Sequence, residues 1–176
     1  MIKKNLVKKE RLEVYEPRKE EHEFPKGKLG LVLCSVCNAA YYKKSWHHNL
    51  RNYKNLRENL PIKFTVCPAC KMIKDKQFEG EIIIQNAPAK IQNELTNLIK
   101  SFSRRAYERD PMHRLIEIKN SPRGTRITTT ENQLAVKLAK KIKETFKRVD
   151  YKVSYSPSPS DVVYIKMEFT PSSFNG

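Results

Sequence analysis

The chain has 176 residues, 39% hydrophobic and 31% charged, which leaves room for one ordinary domain or a small module beside a modest one. Its 35 Lys and Arg outnumber 19 Asp and Glu, a formal charge of +16, and so point to phosphate-bearing partners, nucleic acid before an anionic membrane surface. No apolar run approaches the roughly 18–20 residues of a membrane span, and the opening MIKKNLVKKERLEVYEP lacks the apolar core of a signal peptide; a cytoplasmic location is expected.

Along the chain, residues 1–28 mix nine Lys/Arg with six Glu and few apolar residues, the chemistry of a tail that cannot bury enough surface to order itself. Residues 29–80 hold all four cysteines, the only Trp, and nine basic residues against three acids. In 81–170 the regular structure begins with EIIIQN, a β-branched run. Pro88 suits a first helical position, and Ile91, Leu95, Leu98 and Phe102 continue at helical spacing to about residue 108, where Pro111 follows. HRLIEIKN and TRITTT read as a hairpin around SPRG. Thr130 with Gln133 reads as a capping box ahead of a second helix striped by Leu134, Leu138, Ile142 and Phe146. YKVSYS and DVVYIKMEF alternate as a closing hairpin around PSPS, and 171–176 form a C-terminal tail. The expected fold is α+β: a four-cysteine zinc ribbon followed by a β-α-β-β-α-β-β domain whose first six elements are those of a ferredoxin-like split βαβ unit.

The strongest motif is two Cys-x-x-Cys pairs, Cys34 and Cys37 in LVLCSVCNAA, and Cys67 and Cys70 in FTVCPACKM. Two such pairs supply the four thiolates of one structural zinc, with iron as the other metal that accepts this donor set. Each pair follows a strand-like stretch, as a ribbon of two β-knuckles requires, and Asn38 suits the positive φ that often follows a knuckle's second Cys. A redox reading would place one pair at the start of a helix in a βαβ frame, and the surroundings here read as strands. His47 and His48 could in principle ligate, but four thiolates already close the shell.

LCSVCNAAYYKKSW, TVCPACKMIKD, DPMHRL and TRITTTENQLAVKLAKKIKETF together resemble the N-terminal zinc-ribbon region of the large-ribosomal-subunit export adaptor family (the nonsense-mediated-decay-three type) and its small prokaryotic relatives, over about residues 31–169. The resemblance implies that Cys34, Cys37, Cys67 and Cys70 bind zinc and that the protein engages ribosomal subunits. It does not imply nuclear export, because the chain carries one Cys quartet and none of the adaptor's later zinc pairs or shuttling signals.

The basic residues of the Cys-rich region interleave with aromatics, which suits RNA: cations neutralise phosphates and exposed rings stack on unpaired bases. Lys43, Lys44 and Trp46, then Arg51, then Lys71, Lys74 and Lys76 are candidates there, with Arg104 and Arg105 on the first long helix and Arg123 and Arg126 at the hairpin tip. Lys137, Lys140, Lys141 and Arg148 share neighbouring rows of the second long helix with Glu144. No base-reading motif, phosphate-binding Gly-rich loop or nucleophile context appears, so the expected function is non-enzymatic recognition of ribosomal RNA or a ribosomal subunit, with no small-molecule substrate. A DNA-binding or transcription-associated zinc ribbon is the alternative.

Overall fold

The computed structural model describes residues 30–53, 60–158 and 160–170. The tails expected over 1–28 and 171–176 lie outside these residues. Described elements run β1 (Leu31–Cys34), β2 (Ala40–Tyr42), β3 (Ser45–His47), β4 (Ile62–Thr65), α1 (Pro68–Asp75), β5 (Gly80–Gln85), a 3₁₀ turn (Ala89–Ile91), α2 (Gln92–Arg109), β6 (Leu115–Ser121), β7 (Gly124–Thr129), α3 (Asn132–Phe146), β8 (Val149–Tyr155) and β9 (Val163–Phe169). They form a mixed α+β molecule with one four-stranded and one five-stranded sheet. None of the described helices is long and apolar enough to cross a membrane.

The small sheet has the order β3-β2-β1-β4, with β1 and β4 parallel and the other pairs antiparallel. Lys43 and Lys44 make the two-residue turn from β2 to β3, both at positive φ (49° and 64°), the conformation a tight hairpin of matching twist needs. Parallel pairing of β1 with β4 brings the ends of both strands, and therefore both Cys pairs, to the same edge.

In the large sheet the order is β6-β7-β5-β9-β8. Ile82 and Ile84 of β5, Ile127 of β7 and Ile165 and Met167 of β9 face α2 and α3, which bury Leu95, Ile99, Leu138 and Ile142 against them. The stripe on α2 is centred on Leu95 and Ile99, with Leu98 and Phe102 only partly buried, and the helix starts after the 3₁₀ turn rather than at Pro88.

Two expectations are corrected here. The ferredoxin-like arrangement fails in its second half: β8, the sixth element, lies at the sheet edge, and β9 takes the place beside β5, parallel to it. The cause is the β8–β9 hairpin. Val163, Ile165, Met167 and Phe169 are all buried, whereas the outer half of β8 is exposed, so the more apolar strand takes the central place. The capping box also fails. Glu131 precedes α3 without a side-chain cap, and the fully buried Thr130 instead bonds its hydroxyl to the Met112 carbonyl (2.5 Å) and receives the Arg114 N–H (2.9 Å).

Leu138→Ala should test how much α3 holds the large sheet. Its side chain is fully buried, and truncation is expected to cost about 2–5 kcal/mol of unfolding free energy by denaturant titration; a loss under about 1 kcal/mol would mean the site collapses around the cavity or is poorly packed.

Candidate metal centre

Cys34 ends β1, and the chain turns tightly after it, with the Asn38 N–H donating to the Cys34 carbonyl (2.9 Å) and Asn38 itself at φ 59°. The Val36 and Cys37 N–H groups point back to the Cys34 Sγ at 3.4 and 3.5 Å. This is a knuckle: one sulfur held by two backbone donors, with the second cysteine close behind it.

The second pair is built differently from the β-knuckle that the strand-like approach suggests. Cys67 is the N-cap of α1, in extended conformation, and its Sγ accepts the Cys70 N–H at 3.4 Å. Pro68 sits at the first helical position, where a missing N–H is harmless, and Ala69 and Met72 bury the helix's inner face. Lys76 closes α1 in the left-handed conformation, its N–H and that of Gln77 returning to the Ile73 and Met72 carbonyls. The Pro and the 69/72 spacing were the signals for a helix here; the apolar run before them masked both.

Together the two pairs bring four Sγ atoms within 4.8 Å of one another. A tetrahedron with metal–sulfur bonds of about 2.3 Å has edges of about 3.8 Å, and Cys37 and Cys67 lie 3.7 Å apart, Sγ to Sγ. Cys34, Cys37, Cys67 and Cys70 are thus positioned to bind one metal ion, a donor set that suits zinc. Burial opposes ionisation of Cys34, but N–H donors from Cys67, Cys37 and Val36 outweigh it and pull the thiol down to about 6. Burial pushes Cys67 well up and Cys70 up to about 11. A bound cation would displace the protons these two thiols otherwise keep. The helix start that a redox pair needs is present at Cys67, but Cys67 and Cys70 share one cluster with Cys34 and Cys37 rather than standing as an isolated pair.

Arg114, which no spacing rule singled out, reaches this cluster from the loop before β6. Its Nη1 donates to the Cys70 Sγ (3.4 Å), Nη2 to the Tyr107 hydroxyl (3.1 Å) and Nε to the Pro111 carbonyl (3.2 Å), while its guanidinium lies 4.6 Å from the Tyr107 ring centre. Burial works against its charge, but Cys70, Tyr107 and the other thiols hold its pKa above the usual value. Met112, from the same loop, packs among the cysteines.

The basic candidates fall into separate groups. Trp46 is half-buried against the cysteine cluster, 5.3 Å from the Tyr41 ring, and so covers the centre from one side. Lys43 extends over the Tyr42 and Tyr53 rings, while Lys44, Arg51, Lys71, Lys74 and Lys76 are exposed. Arg104 pairs with Glu108 on the exposed side of α2, and Arg105 is exposed nearby. Arg123 is in the β6–β7 turn. Arg126, by contrast, lies inside β7 rather than at the hairpin tip, bonded to Glu81 and near Glu117, with its guanidinium over Phe78. An exposed ring that the sequence pattern did not single out is Phe64 on edge strand β4, 71% accessible beside Ile62. No known family model matches the chain, and no curated protein matches it.

Replacing Arg114 with Gln should weaken metal binding about 10-fold or more, measured by competition with a chromophoric chelator. Unchanged affinity would reduce the Arg114–Cys70 contact to packing.

Proposed function

We propose that this is a non-enzymatic, zinc-stabilised RNA-binding protein that works on the ribosome or its RNA. The observation that carries this reading is a set of cations, without a paired carboxylate among the described residues, around the four-cysteine cluster. Among the described residues no carboxylate pairs with Lys43, Lys44, Arg51, Lys71, Lys74 or Lys76, all of them in the metal module. Such a surface gains free energy by replacing condensed counterions on a phosphate backbone.

Three further points support it. Four thiolates fill a tetrahedral shell, so a zinc there keeps no position open for water or substrate and acts on the fold. Phe64 offers an exposed ring beside this charge, which suits stacking on an unpaired base. The motifs around both Cys pairs resemble those of the ribosomal-subunit export adaptor family.

The large sheet's open face supplies the contrast. Register places Lys119, Arg126, Lys166 and Lys152 there in one row across β6, β7, β9 and β8, flanked by Glu117, Glu81, Glu168 and Asp150. Four cations stand against four acids, one of which, Asp150, also pairs with Lys143 of α3 at 2.6 Å, so that face carries little net charge and is a poor partner for a polyanion.

Binding of the full chain to folded ribosomal RNA and to duplex DNA at one matched salt concentration tests the reading. The expected result is tighter binding to RNA, with log K falling linearly in log salt; a preference for DNA, or affinity that ignores salt, would overturn it.

A further inference from the structure

Four of the cations that this reading leaves unassigned gather in one place. α2 and α3 enclose a cleft of about 370 Å³ between residues 102–109 and 134–141. Arg105 and Arg109 stand one turn apart on α2, and Lys137 and Lys141 one turn apart on α3, all four lining it. Like charges at this spacing repel along each helix, and packing the helices side by side adds repulsion across the cleft.

Little nearby relieves this. Among the described residues no carboxylate pairs with Arg105, Arg109 or Lys137. Lys141 has Glu144 at 3.8 Å, with both side chains substantially exposed, which is worth little. The single acid lining the cleft, Asp110, accepts the Met112 N–H (2.8 Å) and sits 3.9 Å from His113, so it serves the loop. The floor is apolar, from Phe102, Ala106 and the buried Leu134.

We infer that this cleft seats a stretch of single-stranded RNA, its phosphates on the four cations and a sugar or base on the apolar floor. The inference rests on the RNA-binding reading and gives it a second contact site, on the helical face of the large sheet. A lone phosphate would satisfy the cations and leave the floor unused; a nucleotide unit covers both. Two facing pairs of cations also suit a chain of phosphates better than one anion.

The test compares the full chain with Arg105→Gln/Lys137→Gln, and with Lys119→Gln/Lys152→Gln as an equal loss of charge on the balanced sheet face. Each is titrated with a labelled oligouridylate over a series of potassium chloride concentrations. The cleft variant should lose about 1.4 from the slope of log K against log salt, two contacts at about 0.7 each, and the sheet variant should keep its slope. Uridine monophosphate at equal nucleotide concentration should displace the oligomer poorly. The cleft variant should melt no earlier than the parent, because it removes repulsion only.

Equal slopes for the parent and the cleft variant, or equal losses in both variants, would overturn the cleft while leaving the RNA-binding reading intact. Salt-independent binding by the parent would sink both. Efficient displacement by the mononucleotide would replace a strand with a free nucleotide and so overturn the inference as stated. Earlier melting of the cleft variant would make these cations structural and overturn it too.

Discussion

Four sulfurs, three of them on buried cysteines, cannot share a space within 4.8 Å as thiolates unless a cation holds them, and the described architecture is arranged around that requirement. β1 and β4 run parallel so that both strand ends deliver a cysteine pair to one edge. The knuckle after β1 aims two N–H groups at Cys34, the Cys67 N–H adds a third at 3.3 Å, and the start of α1 gives Cys67 its own donor from Cys70. These donors are fixed by the backbone, so the sulfurs are oriented before any metal arrives.

The centre also joins the two sheets. Arg114 touches Cys70 with its side chain, and its backbone pairs with Thr130 at the end of β7. Met112 enters the cysteine cluster from the same loop, and His48, beyond β3, bonds the Tyr107 carbonyl near the end of α2. Losing the metal would therefore release Arg114 and Met112 as well as the knuckle and α1. Among the described residues, the four-stranded sheet has short strands, exposed Ile62 and Phe64, and only Val32, Ala40 and a few ring contacts to hold it besides the cysteine cluster.

Much of this was readable in the residues, and the misses have physical causes. Identical cysteine spacings point to a shared centre because tetrahedral coordination needs two pairs, and Asn38 announced its turn because few residues tolerate positive φ. Leu134, Leu138 and Ile142 announced α3 by spacing, and burial bears them out. The start of α1 was hidden because an N-cap usually shows Ser, Thr, Asp or Asn, and here a cysteine does the same work. Thr130 looked like a cap because local pattern ignores long-range partners, which took its hydroxyl first. Arg114 and the pairing of Arg126 with Glu81 depend on contacts between distant segments, for which a linear chain carries no sign.

Charge then divides the surface. Among the described residues the sheet's open face sets its cations beside acids, while the metal module and the α2–α3 cleft leave theirs without a paired carboxylate apart from the weak Lys141–Glu144 contact, so the proposed RNA contacts fall in those two regions. Arg114 and Met112 tie the four-cysteine cluster to the loop before β6, which makes metal content the decisive quantity. Elemental analysis of the purified full chain, with circular dichroism before and after chelation, measures it directly. The account predicts one equivalent of zinc per chain and loss of ordered structure in the cysteine module when it is removed. Substantially less than one equivalent, in a chain whose spectrum and melting ignore the chelator, would contradict it.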